Sequence, residues 1–305
     1  MSQIITVFGA TGNQGGSVVK SILADPVLSK EWKIRGVTRD TSKPAAQALA
    51  AQGVELVTAD MSSTEAALPA VTGAHTVFLV TDYWETMSRE TEVSQGKAVA
   101  DACKAANVKH LIFSSLRDVT EISNGRLPNV SHFDGKAEIE QYIRDSGIAA
   151  TFVLAGLYMS NFFEMLNKQG DNYVLAWPVD MEKAQVPLFD PAEDTGKFVK
   201  AAIKHFPSSV NQRILAADDY YSPGRIVKEF EEVTGHKAQT ATIPGDVFKS
   251  FLAAPMAQEI LENVLLLEDP GYYAGESLAP SRALLDESDK PTSWKEFVAR
   301  HKEKW

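Results

Sequence analysis

The stretch Ile4–Val19, IITVFGATGNQGGSVV, decides how the chain folds. Ile4, Ile5, Val7 and Phe8 form a short apolar run rich in β-branched residues, suited to a strand buried on both faces. The run stops at Gly9. After Gly9-Ala10-Thr11-Gly12-Asn13-Gln14-Gly15, apolar residues recur at Val18, Val19, Ile22 and Leu23, the spacing of a helix laid on a sheet. Without a β-carbon, Gly9 and Gly12 let the backbone turn tightly and approach a pyrophosphate, while Gly15 lets the helix pack close to the strand. The phosphates would meet a helix N-terminus, where free N–H groups and the dipole favour negative charge. A glycine triplet that follows a strand and opens a helix has the context of a dinucleotide site, the plainer alternative being a tight structural turn.

Outward from this motif, strand and helix patterns alternate. Strands are expected at Trp32–Val37, Val54–Val57, Thr76–Val80, His110–Phe113 and Ala150–Leu154. Between them, helices are expected at Pro44–Gln52, Thr64–Val71, Thr86–Ala106 and Lys136–Ser146. Such alternation implies right-handed crossovers and an α/β, doubly wound parallel sheet of the Rossmann type. Beyond Leu154 the alternation loosens. Helices are expected at Tyr158–Gln169, Asp194–His205, Ile226–Thr234, Val247–Ala253, Met256–Leu267 and Trp294–His301, with short strands near Arg213–Leu215 and Gln239–Thr242. The reading is a dinucleotide-binding domain over residues 1–156 and a smaller α+β substrate or effector domain over 157–305, with segments returning to the sheet and a ligand crevice between.

The 305 residues are 44% hydrophobic, enough for a substantial core, and no run approaches the roughly 18 apolar residues of a membrane span. A first strand starting at residue 3 or 4 leaves no room for a signal peptide, so a cytoplasmic location is expected, with the nucleus as an alternative. The single cysteine, Cys103, sits among alanines and valine on a helical pattern and reads as apolar filler. A formal charge of −10 opposes attraction to nucleic acid. His75, His110, His205, His236 and His301 lack the spacing of zinc ligands, and no metal is expected.

Thr38-Arg39-Asp40-Thr41-Ser42-Lys43 closes the second strand, where a dinucleotide site chooses between cofactors. Arg39 can fork to a 2′-phosphate and Lys43 can add a point charge, which favours NADP over NAD. A one-residue slip would instead bring Asp40 to the ribose, as NAD requires. Solvated surface charge is the bland reading of both Arg39 and Asp40. Asp60, at the end of the third strand, reads either as an adenine contact or as a helix N-cap.

VFGATGNQGGSVV, VTRD, FLVTDYWE and HFDGK, in this order and spacing, resemble the NmrA-like family of atypical short-chain dehydrogenase/reductases over residues 4–163. The resemblance implies dinucleotide contacts from Gly9, Thr11, Gly12, Asn13 and Gln14 in the glycine loop, from Arg39, Lys43 and Asp60, from Thr81, Asp82 and Tyr83, from Lys136, and from the turn Gly156, Leu157, Tyr158, Met159. It further implies an NADP(H)-binding regulator that reports the reduced cofactor by changing shape or partners. The alternative is an NADPH-dependent oxidoreductase acting on a small-molecule carbonyl, imine or quinone. A third class, a DNA-binding repressor, is opposed by the charge. The segment after the second strand is less basic than the family pattern, and Ser94 stands where a lysine is expected.

Short-chain reductases use Tyr-x-x-x-Lys, in which tyrosine donates the proton and lysine lowers its pKa and holds the ribose. None of the eight tyrosines has a lysine four residues on. His132-Phe133-Asp134-Gly135-Lys136 stands at the corresponding distance, keeping the lysine and replacing the acid by histidine. His132 has three readings: a general acid titrating near neutrality, a non-catalytic hydrogen-bonding residue beside the cofactor, or an ordinary residue of a helix N-terminus. Ser114 and Ser115 end the fifth strand, where a carbonyl-polarising serine would sit. Tyr158, Asn161, Phe162, Phe163 and Trp177 read either as core or as the lining of a crevice for a planar ligand.

Overall fold

The computed structural model describes residues 2–305. Its first half alternates as the apolar periodicity demands: β1 (Gln3–Val7), α1 (Asn13–Ala24), a short α2 (Leu28–Glu31), β2 (Trp32–Thr38), α3 (Pro44–Ala50), β3 (Glu55–Thr58), α4 (Thr64–Val71) and β4 (Thr76–Leu79). A 3-10 turn at Tyr83–Glu85 then leads to α5 (Arg89–Ala105), β5 (His110–Ser115), α6 (Val119–Ile122), α7 (Ser131–Ser146) and β6 (Ala150–Ala155). The expected long helix from Thr86 therefore starts at Arg89, where Ser88 caps it by accepting from the Thr91 N–H. The expected helix at Lys136 starts earlier, at Ser131, so the whole of HFDGK lies in its first turns.

In the second half, β7 (Leu157–Tyr158) and α8 (Phe162–Met165) precede β8 (Leu166–Gln169), β9 (Asn172–Trp177) and β10 (Val186–Phe189). This corrects the continuous helix expected over Tyr158–Gln169. The chain turns at Gly170 with φ +62°, and residues 166–169 pair antiparallel with 172–175, a hairpin that lets Tyr173, Leu175 and Trp177 point into the core. There follow α9 (Pro191–Lys204), β11 (Arg213–Ala216), β12 (Tyr220–Tyr221), α10 (Pro223–Thr234), β13 (Lys237–Thr242), α11 (Gly245–Ser250), α12 (Ala257–Leu265), α13 (Ala279–Arg282) and α14 (Trp294–Arg300).

Seven strands form the central sheet in the order β11-β6-β5-β4-β1-β2-β3, every neighbouring pair parallel. The chain reverses its direction of travel between β1 and β4. At such a switch point the loops leaving the two strands part and open a crevice. Alternation along the strands supplies both faces: Leu111 and Phe113 of β5 join Phe133, Phe152 and Trp177 in one core, while Ile112 joins Val18, Ile22, Phe78 and Phe198 in the other. Because β11 pairs with β6, and α9 packs on α1 with Gly196 against Ser17, the sheet and its cover draw on both sides of residue 156. Among the described residues, no helix is long and apolar enough to cross a membrane.

Candidate functional site

The loop between β1 and α1 is shaped by three close approaches. Gly9 takes φ +64°, and a β-carbon there would come within 3.1 Å of Val80, at the end of β4. The Gly12 N–H donates to the Gly9 carbonyl at 2.8 Å, closing the turn. A β-carbon on Gly15 would lie 2.2 Å from that same carbonyl oxygen, so the helix can sit this close only with glycine there. No side chain caps α1 and no acidic residue occupies its first turn. A backbone cradle at an uncapped helix N-terminus, lying in the switch-point crevice, fits a pyrophosphate. Gln14 sits in the first turn of α1, where its side-chain nitrogen donates to the Tyr158 hydroxyl at 2.6 Å and its oxygen is buried without a partner. Burial pushes the Tyr158 phenol up despite that hydrogen bond.

The flanking residues are placed unequally around this cradle. Arg39, just beyond β2, pairs with Glu85 from the turn after β4. Lys43 is exposed and has no ion-pair partner among the described residues. Asp40 accepts from the Ser42 N–H at 2.9 Å and its hydroxyl at 2.6 Å, and these bonds hold its carboxyl below the usual range. Asp60 is likewise turned onto Ser62, and its alternative as a helix cap is corrected, because Ser63 caps α4 by accepting from the Ala66 N–H. In the Gly156–Met159 turn, Leu157 and Met159 are buried in the core, so only their backbone is free to face a ligand. A β-carbon on Gly156 would lie 2.4 Å from the Pro187 carbonyl oxygen, which fixes this turn against β10.

Each residue of HFDGK has a definite place. Phe133 enters the core. Asp134 is buried and accepts from the Val119 N–H at 2.7 Å and the Thr120 hydroxyl at 2.5 Å, tying α6 to α7. Gly135 leaves room for Glu92 of α5, whose side-chain oxygen would stand 3.2 Å from a β-carbon there. Lys136 fills the gap: its Nζ donates to the Thr81 carbonyl at 3.0 Å, to the Thr81 hydroxyl at 2.9 Å, and to Glu92. The lysine thus stands at the mouth of β4, held by protein groups. Its neighbour Asp82 is exposed and caps the 3-10 turn through the Trp84 N–H at 3.1 Å.

His132 lies one turn before Lys136 and is gripped by Glu259 of α12. One Glu259 oxygen accepts from the His132 backbone N–H at 2.8 Å and meets its Nδ1 at 2.5 Å. The other accepts from the Tyr83 hydroxyl at 2.8 Å. Burial raises the Glu259 carboxyl, yet the bonds from His132 outweigh it and leave the group below its ordinary value. The Tyr83 phenol is pushed up to about 12 by burial and by its bond to Glu259. Tyr83, Trp84 and Phe133 surround the imidazole with ring centroids 4.8–5.8 Å away.

The serines and aromatics named as candidates are placed as follows. Ser114 and Ser115 are buried in β5, and Ser115 gives its hydroxyl hydrogen to Glu140 at 2.6 Å, which uses up the donor a carbonyl would need. Phe162 and Trp177 are core residues, Phe162 packing on both Trp177 and Trp294, so these two take the core reading, while Tyr158 and Phe163 are only partly buried. Glu259 escaped sequence reasoning: it lies 127 residues beyond His132, on a helix with no motif of its own. Two concavities, of about 660 Å³ beside α5 and about 490 Å³ at the N-terminal ends of β1 and β2, include no residue of the glycine loop.

Residues 1–298 match the NmrA-like family. The chain belongs to the NmrA-like family. An NmrA-like family domain-containing oxidoreductase of Penicillium ochrochloron, ptmS, is 32% identical over 78% of this chain and 75% of its own length. An NmrA-like family domain-containing protein of Dictyostelium discoideum is 28% identical over 98% of both chains. Among solved structures, the negative transcriptional regulator NmrA in complex with NADP superposes on this NmrA-like chain with a TM-score of 0.81, at 21% identity over 98% of this chain and 94% of that one. An NADPH-dependent quinone oxidoreductase of Escherichia coli, complexed with NADPH, reaches 0.78 at 21% identity over 97% and 99%.

Proposed function

We propose that this NmrA-like protein binds NADP(H) in the switch-point crevice and acts as an oxidoreductase on a small carbonyl, imine or quinone. The Glu259–His132 pair carries this reading. A buried carboxylate on Nδ1 fixes the orientation of the ring and leaves Nε2 as the nitrogen free to meet a substrate. The glycine loop and α1 would hold the pyrophosphate, Arg39 and Lys43 the 2′-phosphate, and Lys136 the nicotinamide ribose beside Thr81. A reduced nicotinamide, when bound, supplies hydride. His132 would then pass a proton to the substrate oxygen or nitrogen, with Glu259 holding the ring in place through Nδ1. Relatives named as oxidoreductases support the reading.

A second reading, a sensor of the NADPH/NADP ratio, is favoured by the occupancy of Lys136: its three donor bonds go to Thr81 and Glu92, which commits the lysine to holding the fold rather than to chemistry. Purified protein with NADPH and a panel of carbonyls, imines and quinones separates the two, followed by loss of reduced-nicotinamide absorbance. Turnover that falls on the order of 10²-fold in His132→Ala, with NADPH affinity kept, is expected for the reductase. NADPH binding without turnover across the panel favours the sensor, and turnover that survives His132→Ala defeats the histidine as acid.

A further inference from the structure

The Arg39–Glu85 pair crosses the crevice. In the sheet β1 stands between β2 and β4, so a contact from the residue after β2 to the turn after β4 passes over the strand that feeds the glycine loop. We propose that Glu85 is an internal competitor for the 2′-phosphate of NADP(H), and that it limits how strongly the protein prefers NADPH to NADH. The proposal rests on reading this crevice as the dinucleotide site.

A dinucleotide laid across the switch point brings its adenosine ribose to the end of β2. Arg39 is the guanidinium available there, and its fork suits phosphate. In this structure the fork already faces a carboxylate. A phosphate arriving with a charge of about −1.5 to −2 must displace Glu85 or sit beside it, and either route weakens the phosphate contact. NADH brings no such charge and leaves the pair intact. Asp40, the other carboxylate of this loop, is turned onto Ser42. Lys43 remains as an exposed point charge, so phosphate recognition is weakened rather than abolished. The side chains of Arg39 and Glu85 are 76% and 46% exposed. Pairs this open contribute little, so removal of the carboxylate is worth about two- to fivefold in affinity.

Calorimetry with NADPH and NADH at low salt, on the parent chain, Glu85→Gln, Arg39→Ala and the double variant, tests this. Expected are a gain of about two- to fivefold for NADPH in Glu85→Gln, no change for NADH, and no gain from Glu85→Gln in the Arg39→Ala background. Unchanged NADPH affinity in Glu85→Gln overturns the proposal, as does an equal gain for both dinucleotides or a gain that persists without Arg39. Failure of the parent to bind either dinucleotide overturns the crevice reading and this proposal together. Binding of NADPH that ignores Glu85 overturns the competitor alone.

Discussion

At the residue scale, Glu259 divides orientation from charge. It positions His132 through Nδ1, so Glu259→Gln should keep a hydrogen bond to the ring and remove the carboxylate's charge. If the reductase reading holds, the pH–rate profile of Glu259→Gln should lose the limb that the Glu259 carboxyl sets, because glutamine does not titrate. A profile identical to that of the parent would leave Glu259 a merely structural contact. His110 gives a stability counterpart. It is buried at the start of β5, with Nε2 on Thr151 and Nδ1 without a partner, and burial pushes it down to about 4. The unfolded chain therefore binds a proton that the folded chain refuses between about pH 6.5 and 4. Stability from this residue is complete above that window and lost as pH falls through it, on the order of 3 kcal/mol. Urea unfolding across pH 4–7 should show that slope, and His110→Gln should flatten it.

At the element scale, the glycine loop depends on how closely α1 approaches β1. Gly15→Ala puts a β-carbon 2.2 Å from the Gly9 carbonyl oxygen, where backbone rather than a flexible side chain must yield. A loss of roughly 1–3 kcal/mol in urea unfolding is expected, with weakened dinucleotide affinity as the cradle opens. Unchanged stability and affinity would show that the loop has slack. HFDGK makes the same point from the other side of the crevice. One turn and a half of α7 carries a core aromatic, a carboxylate that staples α6, a glycine that admits Glu92, and a lysine that fills the space left. Its spacing was visible in the sequence. Its partners were not, since Glu92 and Thr81 come from elements 44 and 55 residues away.

Across the whole molecule, three segments distant in sequence are joined at the crevice. The turn after β4 reaches α12 through Tyr83 and Glu259, and the loop before α7 reaches the same region through Asn129 with Glu262 and Arg126 with Asp269. Asn124 and Gly125 in that loop take positive φ, as the Asn-Gly turn signal indicates. Because these contacts share α12 and the stretch after it, NADPH should lower hydrogen exchange over residues 81–85, 117–131 and 257–269 together. Protection confined to residues 9–16 would mean that cofactor binding stops at the glycine loop. Binding should also raise stability by mass action, by about 2.7 kcal/mol at a concentration one hundred times Kd.

The order of strands and helices up to Ala155 was legible in the sequence because both signals are local. Apolar periodicity distinguishes strand from helix, and Gly9, Gly12 and Gly15 mark a turn that only small residues permit. The family likewise followed from short motifs in fixed order. Residues 166–169 read as the end of a helix because their alternation is weak and the following turn rests on one glycine, so the hairpin there is decided by pairing of β8 and β13 with β9 and by packing against the core. The state of the candidate site was also a tertiary matter. Arg39 faces Glu85, Lys136 faces Glu92 and His132 faces Glu259 only once parallel strands bring their loops to one edge and the last helices close over it. A sequence carries the charge of each residue, but the distance between charges belongs to the fold.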